Sequence, residues 1–351
     1  MRSTWRWSLR GLMLFVLPVA CASGWLVSLR SAYHAENEAA KALFSEYQAF
    51  LQAAPAWGSH GSYVDIPFPD GSQLQQGRLH VPVHTVRFNG VHLDDRAWEL
   101  LSKLEGLQSL VLWECTIDAT GPSFSRLPNV TKVAMHHTPL PADPKRELWT
   151  GLTLQQLELN DVGDHPLAGY NPAQPQRQLQ ALVLTRGQLD STELAAIWQM
   201  HQLKRLEMNF VEVDPTEMAG LRELARVESL TLRGIHLPPE SLPNTADNFS
   251  LRELALLQSP IDDEDIATIV RTGGLLTTLR FDRTQITDQG VRRLLDLMDL
   301  RSLAFYSDEL TQKSVDTLKM MYWLNWSEVT IQSPPIQNEL DELQSKRPGR
   351  R

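Results

Sequence analysis

One phrase recurs along most of this chain and constrains its fold more than any other feature. Its clearest copy is Leu276-x-x-Leu279-x-Phe281-x-x-Thr284-x-Ile286. The second leucine-type position of successive copies falls at Val86, Leu110, Val133, Leu157, Leu182, Leu206, Leu230, Leu254, Leu279, Leu303 and Val329, so neighbouring copies stand 23 to 26 residues apart. Eleven copies at so regular a period mark a repeat array. In such an array each unit cannot bury its apolar side alone, and stacked neighbours share one continuous core.

The local pattern predicts what each unit is. Alternation at Leu279 and Phe281 puts two apolar side chains on one face of a strand and leaves Thr278, Arg280 and Asp282 on the other. After the strand, Asp214-Pro215-Thr216-Glu217 offers an N-cap, a proline at the first helical position and a carboxylate three residues past the cap. Asp190 to Glu193 repeats the Asp-x-x-Glu signal, and Val291, Leu294 and Leu295 give one apolar helical face. Strand and return helix then stack into a curved α/β solenoid, with a parallel sheet on the concave side and helices and loops on the convex side. Two copies depart from this: prolines and glycines between Asn160 and Gln178 (Gly163, Pro166, Gly169, Pro172, Pro175) and Pro238, Pro239 and Pro243 predict outer loops instead of full helices.

The pattern L-x-x-L-x-L-x-x-(N/C/T)-x-L is matched by Leu107, Leu110, Leu112, Cys115 and Ile117, and again by Leu251, Leu254, Leu256, Ser259 and Ile261. On these residues the chain resembles the leucine-rich-repeat family from about Val83 to Ile336. That resemblance implies a solenoid of roughly 24-residue repeats, a period within the family's range.

The ends predict an address. Met1 to Arg10 carries Arg2, Arg6 and Arg10 and no acidic residue, and Gly11 to Leu29 holds no charge until Arg30. This is long enough to cross a bilayer, and the arginines favour an inside N-terminus, leaving the repeats outside the cytoplasm. The alternative is a cleaved leader, since Ala20-Cys21-Ala22 has a small-x-small look; the repeats would then be secreted or periplasmic. The string SLRGLMLFVL, the closing GWLVSLR, a helical spacer and then repeats form a layout similar to the membrane-anchored leucine-rich-repeat proteins of planctomycete-type bacteria. Residues 30–54 read as a helical stalk or spacer with Leu43, Phe44, Tyr47, Phe50 and Leu51 at helical spacing. Residues 55–82 read as an N-terminal cap, with Tyr63-Val64-Asp65-Ile66 as a strand, and 337–351 as a C-terminal cap with a basic tail.

Charge and cysteine exclude several classes. Net charge of −9 opposes nucleic-acid binding. The outward strand columns carry Arg87, Lys132, Arg205, Arg233 and Arg280 against Glu158, Glu207, Glu253, Asp282 and Glu328, which leaves no basic stripe. The two cysteines are Cys21, in the leader, and Cys115, at an inward repeat position, so a disulfide between them is not expected.

Candidate sites follow from the columns. The outward position after each strand's last apolar residue reads Asn89, Trp113, His136, Asn160, Thr185, Asn209, Arg233, Leu257, Asp282, Tyr306 and Gln332. Trp, Tyr and Arg dominate interface energetics, so Trp113, His136, Asn160, Asn209, Arg233, Asp282 and Tyr306 are the expected partner-binding strip. His136 and His137 are adjacent and point to opposite faces unless the strand has ended. His80 and His84 are separated by Pro82, which spoils helical metal geometry, and Asp262-Asp263-Glu264-Asp265 reads as a helix start. No metal, cofactor or catalytic motif stands out, including P-loop and nucleophile-elbow phrases. The leading expectation is a non-catalytic, membrane-anchored module that presents its concave face to a protein partner. Carbohydrate or cell-wall ligand binding on the same face, with Trp113 and Tyr306 stacking on sugar rings, is the alternative. A ubiquitin-ligase substrate adaptor is a third class, opposed by the apolar leader and the lack of an F-box before Val83.

Overall fold

The protein's structure, a computed structural model, describes residues 34–53, 64–65, 83–118, 124–140, 149, 153–168, 170, 179–235, 250–272, 274–325 and 328–346. The apolar span 11–29, Cys21, His80, the proline cluster at 238–243 and the tail beyond Lys346 lie outside these residues. Among the described residues no helix is long and apolar enough to cross a membrane.

Eleven parallel strands form the body of the sheet: β3 (Val83–Asn89), β5 (Ser109–Trp113), β7 (Lys132–His136), β8 (Gln156–Asn160), β9 (Ala181–Thr185), β10 (Arg205–Asn209), β11 (Ser229–Arg233), β12 (Glu253–Leu257), β13 (Thr278–Phe281), β14 (Ser302–Tyr306) and β15 (Val329–Gln332). They are called rungs 1 to 11 below. Each carries one repeat marker, and the pairing runs marker against marker from Val86↔Leu110 to Leu303↔Val329. The physical reason is the two-residue side-chain period: a one-residue slip would turn Leu110 and Leu112, both fully buried, onto the open face. A short second ladder, β4 (His92–Leu93) with β6 (Thr116–Ile117), continues the parallel stacking beyond the turn.

The return segments vary. True helices are α2 (Asp95–Ser102), α3 (Ser191–Trp198), α4 (Asp263–Thr272), α5 (Asp288–Arg293) and α6 (Gln312–Met320). Asp190 forms the full capping box with Glu193 that the Asp-x-x-Glu signal predicts. Asp214 also caps, accepting from Thr216 N–H at 2.9 Å, but the segment behind it, Pro215–Glu223, winds as a 3-10 helix. Asp262 confirms the helix-start expectation, its Oδ1 accepting from Glu264 N–H at 2.8 Å and Asp265 N–H at 3.0 Å. In rung 4 the described return is a tight turn around Pro166–Ala168, with no helix there, as its prolines and glycines require.

Both sheet edges are covered. Helix α1 (residues 34–47) buries Ala39, Ala40, Leu43 and Tyr47 in the core. The chain then turns into β1 (Phe50–Ala53), which pairs antiparallel with β3 on one side and with β2 (Val64–Asp65) on the other. Residues 34–47 are helical as the 30–54 reading expects, and only its end is corrected: Phe50 and Leu51 fit a helical face, yet an open edge of unpaired backbone groups recruits them as a strand. At the far end α7 (Gln337–Lys346) packs Leu340 and Leu343 over β15.

Candidate functional site

The open face of the sheet ends in a turn that repeats from rung to rung. In rungs 1 to 9 the residue after the last outward position adopts a left-handed backbone: Gly90, Glu114, His137, Asp161, Arg186, Phe210, Gly234, Gln258 and Arg283 have φ between 48° and 67°. Non-glycine residues hold this conformation at a cost of about 1–2 kcal/mol each. Ladder bonds offset it: Glu114 N–H donates to the His136 carbonyl at 2.8 Å, and His137, Asp161, Arg186 and Phe210 repeat that bond to the next rung. The left-handed turn swings this second column outward beside the first, so the strand ends form a ridge two side chains wide.

The ridge is richest over rungs 2 to 6. The Trp113 ring, 41 % exposed, lies against His136 with centroids 4.7 Å apart and planes tilted by 32°. His137 meets the same indole edge-on at 5.8 Å. Strand β7 ends at His136, so the two histidines are not sent to opposite faces and both reach one ring. His136 Nε2 stands 3.7 Å from Glu158 Oε1, while its Nδ1 is buried without a hydrogen-bond partner. Burial is the largest influence on this imidazole and lowers its pKa from the ordinary value, against an opposing pull from Glu158. His136 therefore sits neutral near pH 7, as a packing wall for the indole.

Beyond the aromatic group, one carboxylate links three rungs. Asp161 Oδ2 receives His137 Nδ1 at 3.0 Å and Arg186 Nη1 at 3.3 Å. These groups are exposed, so the contact adds little stability; it holds three polar side chains in a fixed row. Phe210 follows, 45 % exposed and leaning over Gly234, where an added Cβ would meet its Cδ1 at 2.9 Å. Trp113 and Phe210 are four rungs apart, roughly 19 Å at the usual strand spacing.

The other expected residues are less concentrated. Asn209 is held by Glu207 Oε1 at 2.8 Å, with Arg205 on the other oxygen at 2.9 Å. Tyr306 donates to Asp308 at 2.7 Å, which raises its pKa. Asn160 and Arg233 lie half-buried in the same column, and Asp282 falls just past β13. Thus Trp113, His136 and Asn160 are neighbours, whereas Asp282 and Tyr306 stand at the far end of the sheet. The second column, His137, Asp161, Arg186 and Phe210, was not foreseen in the sequence, although Gly90 and Gly234 at the equivalent position signal a backbone needing positive φ. On the floor beside the ridge, Arg87, Val111, Lys132 and Gln156 line an open polar hollow of about 490 Å³.

No family model and no curated protein matches the chain. Similar solved structures include an internalin, InlF, from Listeria monocytogenes (15 % identity, 77 % of this chain and 91 % of that one, TM-score 0.49). Internalin C2 of the same species aligns at 17 % identity over 71 % and 80 %, with TM-score 0.33. A leucine-rich-repeat protein of Leptospira interrogans aligns at 14 % over 76 % and 88 %, with TM-score 0.43. The chain has the fold of a leucine-rich-repeat array. With identities and TM-scores this low the comparisons carry no functional argument, and the assignment rests on the period, the in-phase register and the recurring left-handed turn of this leucine-rich-repeat sheet.

Proposed function

We propose that this leucine-rich-repeat domain is a non-catalytic binding module that engages a protein partner through its concave face, along the strand-end ridge from Trp113 to Phe210. The observation that supports this most is the alignment of two exposed aromatic rings around an oriented His137–Asp161–Arg186 row on consecutive rungs. Interfaces draw most of their energy from a few aromatic and arginine anchors. A ridge of this length suits a partner surface touching several rungs. A sugar would be held by Trp113 and its immediate neighbours, without need of Phe210. The uncharged span 11–29 after Arg2, Arg6 and Arg10 supports a membrane anchor with the repeats outside the cytoplasm.

A photo-crosslinking residue at Trp113 in the native host, with a matched probe at the exposed Met298 on a return segment, tests the binding surface. A defined protein adduct from position 113, absent at 298, is the expected result. Adducts only at 298, or only glycan at 113, would remove the reading. Protease accessibility in intact and opened cells, with mass spectrometry of the N-terminus, tests the topology; repeats digested only from the cytoplasmic side contradict it.

A further inference from the structure

A separate convergence lies away from the ridge, where the rung 4 return turn meets the N-terminus of α3. His165 Nδ1 is 3.1 Å from Glu193 Oε2 and 3.7 Å from Asp190 Oδ2, and one donor atom from each of the three lies within 4.8 Å of the others. The Glu193 side chain is only 3 % exposed. Its Oε1 accepts from Leu167 N–H at 2.7 Å and its Oε2 from Asp190 N–H at 3.0 Å. Asp190 uses Oδ1 for Glu193 N–H at 2.8 Å and the Thr192 hydroxyl at 2.6 Å.

The capping box accounts for those backbone bonds and leaves two things over. It does not call for an imidazole from the previous repeat, and it does not balance the protons at the point of convergence. Nδ1 carries at most one hydrogen, yet two carboxylate oxygens face it. Glu193 takes that hydrogen at 3.1 Å, and Asp190 Oδ2, at 3.7 Å, is beyond hydrogen-bond reach of it. In the other tautomer, with the hydrogen on Nε2, the Nδ1 lone pair and one from each carboxylate converge on the same point. Alongside, an open hollow of about 480 Å³ is lined by Asp190, Glu212, Asp214 and Glu217, with no lysine or arginine among the described residues of its wall. A cleft of one sign concentrates the opposite ion.

We propose that His165, Asp190 and Glu193 form a binding site for a divalent transition-metal ion of the zinc or manganese type, which fastens the 164–168 turn to α3. One imidazole with two carboxylates suits such ions. Calcium prefers six to eight oxygens, which this set does not offer. The Leu167 and Asp190 N–H groups fix the Glu193 carboxylate as outer partners of a ligand commonly do. Two flanking ligands are about half exposed, which leaves positions for water and a path for the ion. This inference is independent of the protein-binding ridge.

The test uses the full chain, stripped with chelator and titrated with Zn²⁺, Mn²⁺ or Ca²⁺, with bound metal counted by atomic emission and Tm followed in parallel. One equivalent of Zn²⁺ or Mn²⁺, a raised Tm and weak Ca²⁺ response are expected. H165N keeps a residue that tolerates the left-handed backbone at φ 54°, and D190N keeps an N-cap, so both should fold. Each should weaken metal binding at least about tenfold and remove the metal-dependent rise in Tm, while H201A at an exposed histidine should leave both intact. No stoichiometric metal, or variants that bind like the parent chain, would overturn the site and leave an ion pair reinforcing a helix cap.

Discussion

The two halves of the solenoid bury the same strand columns but close their outer sides differently. In rungs 8 to 10 every return is a helix, and each helix start is tied to the next. Asp263 accepts from Thr287 N–H at 2.9 Å and its hydroxyl at 2.5 Å. Asp288 does the same for Thr311 N–H at 2.8 Å, the Thr311 hydroxyl and Ser314 at 2.5 Å. In rung 1 the return is the helix α2 and the described part of the rung 2 return is one 3-10 turn, Phe124–Arg126, and large rings fill the space between returns: Trp98 meets Phe124 edge-on at 5.1 Å, and Phe124 stacks on Trp149 at 5.4 Å. The exposed aromatic and charged ridge, over rungs 2 to 6, begins on this part of the array. The mutually tied helix starts of rungs 8 to 10 go with a quieter open edge, and the more differentiated surface lies over rungs 2 to 6.

The two regions should therefore fail in different ways. The largest effect belongs to the aromatic fill: Trp98→Ala or Phe124→Ala should cost about 3–5 kcal/mol in chemical denaturation, since both rings are 1 % exposed. Next comes Gly220→Ala, where the new Cβ would sit 2.2 Å from Trp198 Cδ1. A Gly→Ala change in a return segment ordinarily stabilises; here a loss of about 1–3 kcal/mol is expected from overpacking, and a gain would show that the Trp198 ring moves freely. Asp288→Ala should cost about 1–2 kcal/mol, with hydrogen exchange accelerating locally over Gln312–Met320 and not over rungs 1 to 3.

A smaller effect is pH-dependent. Burial depresses the His136 pKa, so between that value and the unfolded value of about 6.5 the unfolded chain binds more protons than the folded one. The contribution is complete above about pH 6.5 and declines as pH falls through the window beneath it. NMR titration should place His136 below the ordinary histidine value of about 6.5, and His136→Asn should flatten the acid slope of stability. The smallest effect is on the ridge itself: Trp113→Ala should change stability by no more than about 0.5 kcal/mol, which separates a binding residue from a structural one.

Much of the fold was legible because the determinants are local and repeated. Leucines two apart set the face, and their recurrence near every 24th residue sets the register. Phe50 and Leu51 misled because a four-residue apolar segment satisfies helical and strand periods alike, and the uncovered edge of β3 decides between them. The ridge was half legible. Its first column follows from alternation, but the second needs the left-handed turn, which only Gly90 and Gly234 announce. His137, Asp161 and Arg186, and likewise His165 and Asp190, are joined across separations of 24 or 25 residues, one repeat apart. Such pairs look unrelated along the chain and become neighbours once the sequence is stacked at its own period.

We propose that the strand-end ridge binds a protein through Trp113 and Phe210 together. The direct measurement is the affinity of the crosslinked partner for Trp113→Ala, Phe210→Ala and Met298→Ala, each with its Tm recorded. Losses of about 2 kcal/mol or more for the first two, none for the third and unchanged Tm throughout are predicted. Full affinity retained by both ridge variants would contradict it.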